Sequence, residues 1–408
     1  MAKPILLVKM CNLTPKKTTE NSISSKANLC DALDITLNDL EALSRLSDQE
    51  RYVRDSVEKS DGTLRTVYKP HYLLRKIQRR INRRIFTKIV VWPDYIFGSV
   101  PNTLGPDKKV VKRKDYVSCA AQHCESKSLL KIDIKDFFDN IHIYHVKKVF
   151  SDFFKYPEEV SELLADICCF EQRVVQGALT SSYIASLCLW DIEPKLVERL
   201  QRHKLTYTRL VDDITVSSKV SNFQFDMALS HITRMLEDKD LPINHSKTKI
   251  SYVSISPLMV HGMRVNFSEP RYPSDELRKL RASVHNLEKL ASQTGYRTTF
   301  AYRKDFNRCM GRVNKLKRVK HDKHAVLLKK LKKILPLPSK TDLKRVGLSV
   351  NRLESDYSDK KETYWYKKRF YMAQDRLNIL NRTFTKSAAQ YRERLNKIKP
   401  LYDSIENG

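Results

Sequence analysis

Apolar and polar positions follow one another along the middle of the chain in an order that predicts a mixed sheet. Short β-branched runs indicate strands, and apolar residues three or four positions apart indicate helices. The predicted elements are a strand over 129–134, a helix over 157–170, a loop at 176–182 that opens a long helix toward Leu200, a hairpin over 207–218, a helix over 222–237 and a strand over 249–253. This is the order of a ferredoxin-like sheet, in which the first strand lies beside the hairpin.

The regions on either side of this sheet have helical periodicity instead. Residues 30–58 carry apolar residues at helix-like spacing, residues 60–62 (Ser-Asp-Gly) predict a turn, and residues 70–86 predict a basic amphipathic helix. Ser274 is the predicted N-cap of a further helix, and the chain then stays helix-rich to its end. The pattern therefore predicts an α+β protein.

The net charge of the chain indicates what kind of partner it binds. The 408 residues include 76 Lys+Arg and 47 Asp+Glu, which gives a formal charge of +29 and a pI of about 9.7. Such an excess predicts a polyanionic partner, most commonly nucleic acid. Residues 301–350 alone hold sixteen Lys+Arg against three Asp, which suits a module that grips a phosphate backbone. A basic solvated surface or an anionic-membrane binder is the alternative.

The compartment follows from apolar runs and cysteines. No apolar run approaches the ~20 residues needed to span a bilayer, so we expect a cytoplasmic protein that does not act in a membrane. The eight cysteines lack paired Cys-x-x-Cys spacing and are expected to be reduced, packed thiols. A zinc site at Cys119, His123 and Cys124 is disfavoured because no second cluster accompanies it.

Three carboxylates carry the candidate chemistry. Asp212 and Asp213 occupy the turn of the predicted hairpin, where no Gly or Asn makes positive φ inexpensive, and Asp133 ends the first predicted strand. In a ferredoxin-like sheet these acids converge although about eighty residues separate them along the chain. Two like charges about 4 Å apart repel by roughly 4 kcal/mol at an effective dielectric near 20. Clustered oxygen ligands of this kind suit Mg²⁺.

The order and spacing of several motifs resemble one family, the reverse transcriptases of the bacterial retron and defence-associated kind. The matching segments are Asp-Ile-Lys-Asp-Phe-Phe at 133–138 (first catalytic motif), Gln-Gly-Ala-Leu-Thr-Ser-Ser at 176–182 (second motif), Leu-Val-Asp-Asp at 210–213 (Tyr-x-Asp-Asp motif), Ile-Asn-His-Ser-Lys-Thr at 243–248 (Asn-x-x-Lys-Thr segment), His-Gly-Met-Arg-Val-Asn at 261–266 (primer-grip hairpin) and Met-Gly-Arg-Val-Asn at 310–314 (thumb). The resemblance covers roughly residues 62–335.

The resemblance implies a right-hand polymerase fold with fingers, a ferredoxin-like palm and a helical basic thumb, followed by a helical C-terminal region. The resemblance places the fingers at 61–128, the palm at 129–270 and the thumb at 271–340. Helical spacing outside the matched part predicts an N-terminal helical extension at 1–60 and a helical C-terminal region at 341–408. Leu210, Ser182 and Cys119 replace the Tyr, Pro and Asn that are usual in the family. From these departures we expect an enzyme unlike a typical retron reverse transcriptase.

The resemblance also implies roles for residues at the predicted site. Asp133 and Asp212 are expected to bridge two Mg²⁺ ions, with Mn²⁺ as an alternative, and Asp213 and the backbone carbonyl of Ile134 are expected to complete the metal site. Phe138 is expected to collide with a ribose 2′-hydroxyl, or else to be a core phenylalanine. The other candidates for nucleotide binding are Gln176, Gly177, Lys247, Arg65 and Lys114, with Lys112 and Arg113 beside it.

The nucleic acid is expected to lie along basic helices and the primer-grip turn. The candidate residues are Arg75, Arg79, Arg83, Gly262, Arg312, Lys315, Lys317 and Arg318. The implied function is an RNA-directed DNA polymerase that copies a structured noncoding RNA into cDNA from dNTPs in antiphage defence.

Two other readings of the sequence stay open. One is a template-independent or protein-primed DNA polymerase, for which Tyr364, Tyr366 and Tyr371 are the candidate priming hydroxyls. The other is a catalytically idle RNA-binding scaffold. The sequence does not determine the oligomeric state.

Overall fold

The computed structural model describes residues 12–20, 22–58 and 62–401 and divides the chain into two compact units. The first unit ends at Pro270 and the second begins at Arg271, which is where the predicted palm gives way to the predicted thumb. The predicted turn at residues 60–62 lies outside the described residues except for Gly62.

The first unit combines short strands with helices. Its described strands are β1 (Lys16–Lys17), β2 (Tyr52–Glu58), β3 (Leu64–Pro70), β4 (Val90–Val91), β5 (Ile96–Phe97), β6 (Thr103–Leu104), β7 (Val110–Lys112), β8 (Ser128–Asp133), β9 (Thr206–Leu210), β10 (Asp213–Ser218), β11 (Lys249–Tyr252), β12 (Met259–Val260) and β13 (Met263–Arg264). Its described helices are α1 (Lys26–Leu33), α2 (Leu37–Ser44), α3 (Asp48–Arg51), α4 (Tyr72–Ile81), α5 (Thr87–Ile89), α6 (Tyr116–Gln122), α7 (Phe137–Asn140), α8 (Ile143–Lys148), α9 (Glu158–Cys168), α10 (Ser181–Leu187), α11 (Glu193–Arg202) and α12 (Asp226–Glu237).

The central sheet has the predicted ferredoxin-like topology. Within the described residues its five strands lie in the order β11, β8, β10, β9, β5. β8 and the β9–β10 hairpin are antiparallel neighbours, β11 pairs with the other edge of β8, and β5 adds a short parallel strand beside β9. The prediction that the first strand lies beside the hairpin is therefore confirmed.

The two faces of the sheet have different chemistry because side chains alternate along each strand. One face presents Leu130, Ile132, Ile214 and Val216 to a buried apolar core, to which the inward sides of α11 and α12 also belong. The opposite face carries Asp133, Lys131 and Asp213, and cross-strand pairs keep such residues together on one side. Register thus separates the packing face from the polar face.

The polar face is anchored by a buried histidine at the end of α6. His123 bonds through Nδ1 to Ser217 Oγ at 2.8 Å and through Nε2 to Thr208 Oγ1 at 2.7 Å. The Cys119 thiol donates to the same Thr208 hydroxyl at 3.3 Å. Both ring nitrogens of His123 are therefore hydrogen-bonded to side chains of the sheet. Burial lowers the pKa of His123 to about 3.

The prediction of helical structure across residues 30–58 is wrong for the last seven residues, 52–58. The apolar residues at helical spacing end at Leu46, and the chain forms α1, α2 and α3 up to Arg51. Residues 52–58 form β2, which pairs in register with β3. The side chains of Val53 and Val57 are four positions apart, a spacing that fits a helix turn and a strand face equally well.

Two predicted helices differ in length from the observed ones. The basic helix expected over 70–86 begins at Tyr72, changes to a π-helix at Asn82–Phe86 and continues into α5. The long helix expected between the 176–182 loop and Leu200 is instead α10 and α11, separated by residues 188–192. Pro194, in the first turn of α11, lacks the N–H that a continuous helix needs there.

The described part of the second unit is helical. Its helices are α13 (Ser274–Ala291), α14 (Phe300–Arg318), α15 (Lys323–Lys333), α16 (Lys340–Ser355), α17 (Tyr357–Lys360), α18 (Tyr364–Leu380) and α19 (Thr385–Lys397). One apolar cluster joins α13, α14 and α15, and another joins α16, α18 and α19. Ser274 is the first residue of α13, so the predicted N-cap is displaced by one position to Pro273.

Among the residues that the structure describes, none of the helices combines the length and the apolar character that crossing a bilayer requires.

Candidate active site

The β9–β10 turn places two acids at the end of the sheet. Leu210 pairs with Asp213, so Val211 and Asp212 form a two-residue turn. Val211 has a φ of +61°, in a region that β-branched residues rarely occupy and that costs about 1–3 kcal/mol. The absence of Gly or Asn noted in the sequence is therefore a real source of backbone strain, located directly before Asp212.

Backbone register brings the third acid to the same edge. Asp133 is the direct cross-strand partner of Asp213, and the N–H of Ile134 donates to the carbonyl of Asp212 at 3.1 Å. Asn244 N–H donates to the Asp133 carbonyl at 2.8 Å, which ties the 243–248 segment to the strand end. The structure therefore gathers the three predicted acids, and the Ile134 backbone, in one place.

The electrostatics of these carboxylates are those of a cluster whose charge is only partly compensated. Burial, with the charges of Asp212 and Asp133, raises the pKa of Asp213 to about 6. Burial also raises the pKa of Asp212, and the Asp133 charge adds to this effect while Lys247 and Arg65 oppose it. Like charges in a partly desolvated site disfavour ionisation, and a divalent cation relieves that penalty.

Asp133 has nitrogen partners on the 243–248 segment. Lys247 Nζ lies 3.1 Å from Asp133 Oδ2 and 3.2 Å from Oδ1, and Asn244 Nδ2 donates to Oδ2 at 3.0 Å. The Asp133 side chain is 15% exposed, whereas that of Lys247 is 64% exposed. The lysine is thus an exposed counter-ion of Asp133, while the amide orients the carboxylate.

The donor set fits a hard divalent cation. Three carboxylates and a backbone carbonyl at one strand edge are the oxygen ligands that Mg²⁺ prefers. As they stand, no three His, Cys, Asp or Glu side chains among the described residues are close enough together to enclose an ion. Asp133 is hydrogen-bonded to the side-chain nitrogens of Lys247 and Asn244.

Three residues near the acids were not identified from sequence. Asn244 orients Asp133, Lys131 is a partly buried cation whose pKa is lowered by burial and raised by Asp213, and His261 Nδ1 lies 3.7 Å from Asp213 Oδ2. Burial and the Lys131 charge lower the pKa of His261 to about 4, so its imidazole is neutral near pH 7. The signals were present, because Asn244 and His261 both belong to segments that matched family motifs.

The second motif is shaped by a contact within the chain. The carbonyl of Gln176 accepts from the N–H of Tyr68 at 2.8 Å. Gly177 has a φ of +122°, and a Cβ there would lie 2.1 Å from the Tyr68 carbonyl oxygen. Glycine is therefore required for the β3 hairpin strand to dock against this loop, a reason different from the expected approach to an incoming base pair.

The other nucleotide-binding candidates fall into different environments. Phe138 is half-buried beside the buried ring of Phe137, which leaves part of its ring accessible. Arg65 is exposed on β3, and its charge lowers the pKa of Asp212, which brings it into the electrostatic environment of the acids.

The predicted role of Lys114 is not supported by its position. Its side chain is buried, its ammonium donates to the carbonyl of Pro93, and it lies 5.1 Å from the centre of the Phe97 ring. Burial lowers its pKa to about 8. Lys112 is engaged by Asp94 at 2.7 Å, and only Arg113 of this trio is exposed.

Some cations of the basic helix are bonded within the protein, and others are accessible to solvent. Arg80 is buried against the Leu33 carbonyl and pairs with Asp34, which also binds Arg84. The density of arginine therefore does not by itself indicate phosphate contacts. The three cations predicted to bind nucleic acid are left at least partly accessible, and they are Arg75, Arg79 and Arg83.

The remaining candidates lie at a tight turn and on one helix. Gly262 follows His261 in the two-residue turn between β12 and β13, and both have positive φ, of 78° and 45°, as a type I′ hairpin turn requires. In the second unit, α14 carries the other basic candidates, of which all but the partly buried Arg318 are exposed. They are Arg312, Lys315, Lys317 and Arg318.

One candidate priming tyrosine is excluded by its contacts. Tyr366 is buried and its hydroxyl donates to the Ile398 carbonyl at 2.8 Å. Tyr364 and Tyr371 are exposed.

A ferredoxin-like sheet that presents three carboxylates at one edge defines a nucleic-acid polymerase palm. Comparison with known proteins agrees: the profile of the family "Reverse transcriptase (RNA-dependent DNA polymerase)" matches residues 57–302. The chain is 46% identical to the Retron Ec48 reverse transcriptase of Escherichia coli over 96% of this chain and 97% of that one. It is 29% identical to the Retron Se72 reverse transcriptase of Salmonella heidelberg over 82% of this chain and 86% of that one.

The chain therefore belongs to the reverse transcriptase family and, within it, to the retron enzymes. It is an RNA-directed DNA polymerase with the right-hand polymerase fold. The chain belongs to the retron enzymes despite its departures at Leu210, Ser182 and Cys119. Among solved structures, telomerase from Candida tropicalis with a TWJ fragment of telomeric RNA has a TM-score of 0.39 at 10% identity, over 88% of this chain and 66% of that one, a likeness too weak to add to the assignment.

Proposed function

We propose that this enzyme copies a structured noncoding RNA into cDNA in antiphage defence, and that Asp133, Asp212 and Asp213 hold the two Mg²⁺ ions of the reaction. The observation that carries the proposal is the register of β8 against β10, which sets Asp133 beside Asp213 and next to Asp212. The raised pKa values of Asp212 and Asp213 support it, because they indicate charges in need of a cation.

Each acid has an assigned task. Bound Mg²⁺, or Mn²⁺ as an alternative, would lower the pKa of the primer 3′-hydroxyl and stabilise the charge of the departing pyrophosphate. Asp133 and Asp212 would be the main ligands, with Asp213 and the Ile134 carbonyl as weaker ones. Lys247 releases Asp133 and turns to the triphosphate, or donates a proton to pyrophosphate, a movement that its exposed side chain permits.

The substrates are deoxynucleoside triphosphates. The accessible part of the Phe138 ring, four residues beyond Ile134, blocks a ribose 2′-hydroxyl. Arg65 neutralises triphosphate charge from β3, which is consistent with its effect on Asp212. The buried Lys114 has no part in this assignment.

The template is a structured RNA bound mainly through its backbone. A formal charge of +29 supports this, as do the accessible cations on α4 and α14. The cytoplasm supplies both transcripts and dNTPs, and we place the enzyme there. Its similarity to retron enzymes motivates the assignment to defence.

Sequencing the nucleic acid that copurifies with the protein tests this function. Wild-type protein should carry one defined cDNA together with its RNA, and Asp212→Ala should carry the RNA alone. The same substitution should lower Mg²⁺-dependent dNTP incorporation at least ~10³-fold, because charge stabilisation in the transition state is lost. Homopolymer in place of defined cDNA would indicate untemplated synthesis, and RNA alone from both proteins would indicate an idle scaffold.

A further inference from the structure

A buried arginine stands two residues before the strained turn, on the face of β9 opposite the acids. Arg209 and its partner Glu193, at the start of α11, have side chains that are 0% and 1% exposed. Arg209 Nε lies 2.6 Å from Glu193 Oε1, and Nη2 lies 2.8 Å from Oε2. Tyr207 adds a donated hydrogen bond from its hydroxyl to Glu193 Oε1 at 2.7 Å. The ion pair is therefore two-pronged and fully enclosed.

The remaining guanidinium donors all go to backbone carbonyls. Nη1 donates to Ala185 at 3.0 Å and to Val211 at 3.2 Å, and Nη2 donates to Ser186 at 2.9 Å. With the two bonds to Glu193, these contacts use the five N–H donors that arginine possesses. Ala185 and Ser186 are in the last turn of α10, whose carbonyls need partners outside the helix. One side chain thus joins α10, α11, β9 and the turn.

The bond to Val211 has a particular consequence for Asp212. The peptide groups on both sides of Asp212 are fixed by hydrogen bonds: Arg209 donates to the Val211 carbonyl, and the Ile134 N–H donates to the Asp212 carbonyl. Fixing both peptide planes fixes the Cα–Cβ direction of Asp212. On the other side of the turn Gly98 leaves little space, because a Cβ there would lie 3.2 Å from Val211 Cγ2.

We propose that Arg209, anchored by Glu193, is a positioning residue that holds Val211 at positive φ and so aims the Asp212 carboxylate at the metal site. A buried ion pair is weak evidence for stability, since apolar replacements of both partners are often tolerated. Strain beside a functional carboxylate, by contrast, persists only where the surroundings impose it. The pair is therefore assigned to geometry rather than to overall stability.

The experiment uses the full-length protein and the Mg²⁺ dependence of dNTP incorporation on an RNA template annealed to a DNA primer. The main variant is Arg209→Met with Glu193→Leu, which removes both charges together and leaves no unpaired buried ion. We expect at least about a tenfold lower maximal rate and about a threefold higher Mg²⁺ concentration at half-maximal rate, with primer–template affinity unchanged. Arg209→Lys keeps a charge for Glu193 without the fork that reaches Val211, and should show the same Mg²⁺ shift.

A third substitution distinguishes positioning from a loss of structure. Val211→Gly, added to the doubly substituted variant, should regain a measurable part of the rate, because glycine adopts positive φ without restraint. The matched control is Arg80→Met, which removes another buried arginine, bonded to the Leu33 carbonyl at 3.1 Å. It should leave the Mg²⁺ dependence unchanged.

The inference rests on the proposed role of Asp212, and the outcomes separate the two. If Asp212→Ala remains active, the proposed metal site is wrong. If Asp212→Ala is inactive while the Arg209 variants keep the wild-type Mg²⁺ dependence, or lose activity that Val211→Gly does not regain, the positioning role alone is overturned.

Discussion

Replacing Asp213 with asparagine should stabilise the metal-free protein while impairing polymerisation. The substitution keeps the shape of the side chain and removes one of three converging charges. Burial and the neighbouring acids raise the pKa of Asp213 from 3.8 to about 6. A shift of about two units, at about 1.4 kcal/mol each, sets an upper limit of roughly 3 kcal/mol for the destabilisation that its ionised form causes. The side chain is 51% exposed, so solvent screening reduces the expected gain to about 1 kcal/mol.

The size of this effect depends on pH in a defined way. Because the folded-state pKa is raised, ionisation of Asp213 opposes folding: the penalty is absent below about pH 4, grows as the pH rises, and is complete above about pH 6. Thermal unfolding in EDTA near pH 7.5 should therefore give a melting temperature about 2 °C higher for Asp213→Asn than for wild type. Near pH 4 the difference should vanish.

Magnesium should reverse the order of the two proteins. A ligand that binds only the folded state stabilises it by about 1.4 kcal/mol at ten times its dissociation constant, and this gain is larger for wild type, which keeps all three carboxylates. Asp375→Asn, an exposed change on α18, is the control and should shift stability by less than ~0.5 kcal/mol. The reasoning would be refuted if Asp213→Asn were less stable than wild type in EDTA near pH 7.5. It would also be refuted if the variant kept the same stability advantage over wild type near pH 4.

Three further outcomes are expected from single changes. Lys247→Met should lower the Mg²⁺ concentration needed for half-maximal dNTP incorporation, because the ammonium beside Asp133 is gone. If the lysine acts as a proton donor, the same substitution should reduce the maximal rate by about 10²-fold. An unchanged maximal rate would mean that Lys247 is only a counter-ion. Phe138→Ala should raise incorporation of ribonucleotides relative to deoxynucleotides by ~10-fold or more in single-nucleotide extension assays, and unaltered sugar discrimination would return it to the core. The free energy of unfolding, measured by denaturant titration, should fall by up to about 1.4 kcal/mol per pH unit as the pH falls from 6.5 toward 3, because buried His123 must stay neutral; His123→Gln should flatten this slope, and an equally steep slope in that variant would contradict the assignment.

The palm could be predicted from sequence because its signals are local and agree with one another. Alternating runs fix the strands, and the ferredoxin-like order then requires Asp133 and the 212–213 pair to meet, as the register of β8 and β10 confirms. The N-terminal region was predicted less well. Val53 and Val57 fit both periods, and only the pairing of β2 with β3, a contact between separate segments, selects the strand.

Charge was the least predictable property, because a composition does not reveal which cation meets which anion. Lys114 and Arg80 count as basic residues in the sequence, yet both are buried against backbone carbonyls. Lys247 was assigned to nucleotide, and in the metal-free chain it neutralises Asp133. Arg209 stands between Thr208 and Leu210 in a strand-forming run, and a charge at such a position is the one sequence signal that the buried ion pair provides.

The site also explains why the register of the sheet must be exact to one residue. Along β9, Arg209 faces α10 and α11 while Thr208 and Leu210 face the polar side, and along β10, Asp213 lies on the polar side next to buried Ile214. A slip of one residue would turn the acids into the apolar core and the guanidinium away from Glu193. The carboxylates would then be buried without partners, and the buried ion pair would be broken. Partly buried carboxylates, a strained valine and an enclosed ion pair each oppose folding when taken alone. Val211 also packs against the core, but its strain, together with the carboxylates and the ion pair at the same end of the sheet, is explained if each is retained for the geometry of Asp212.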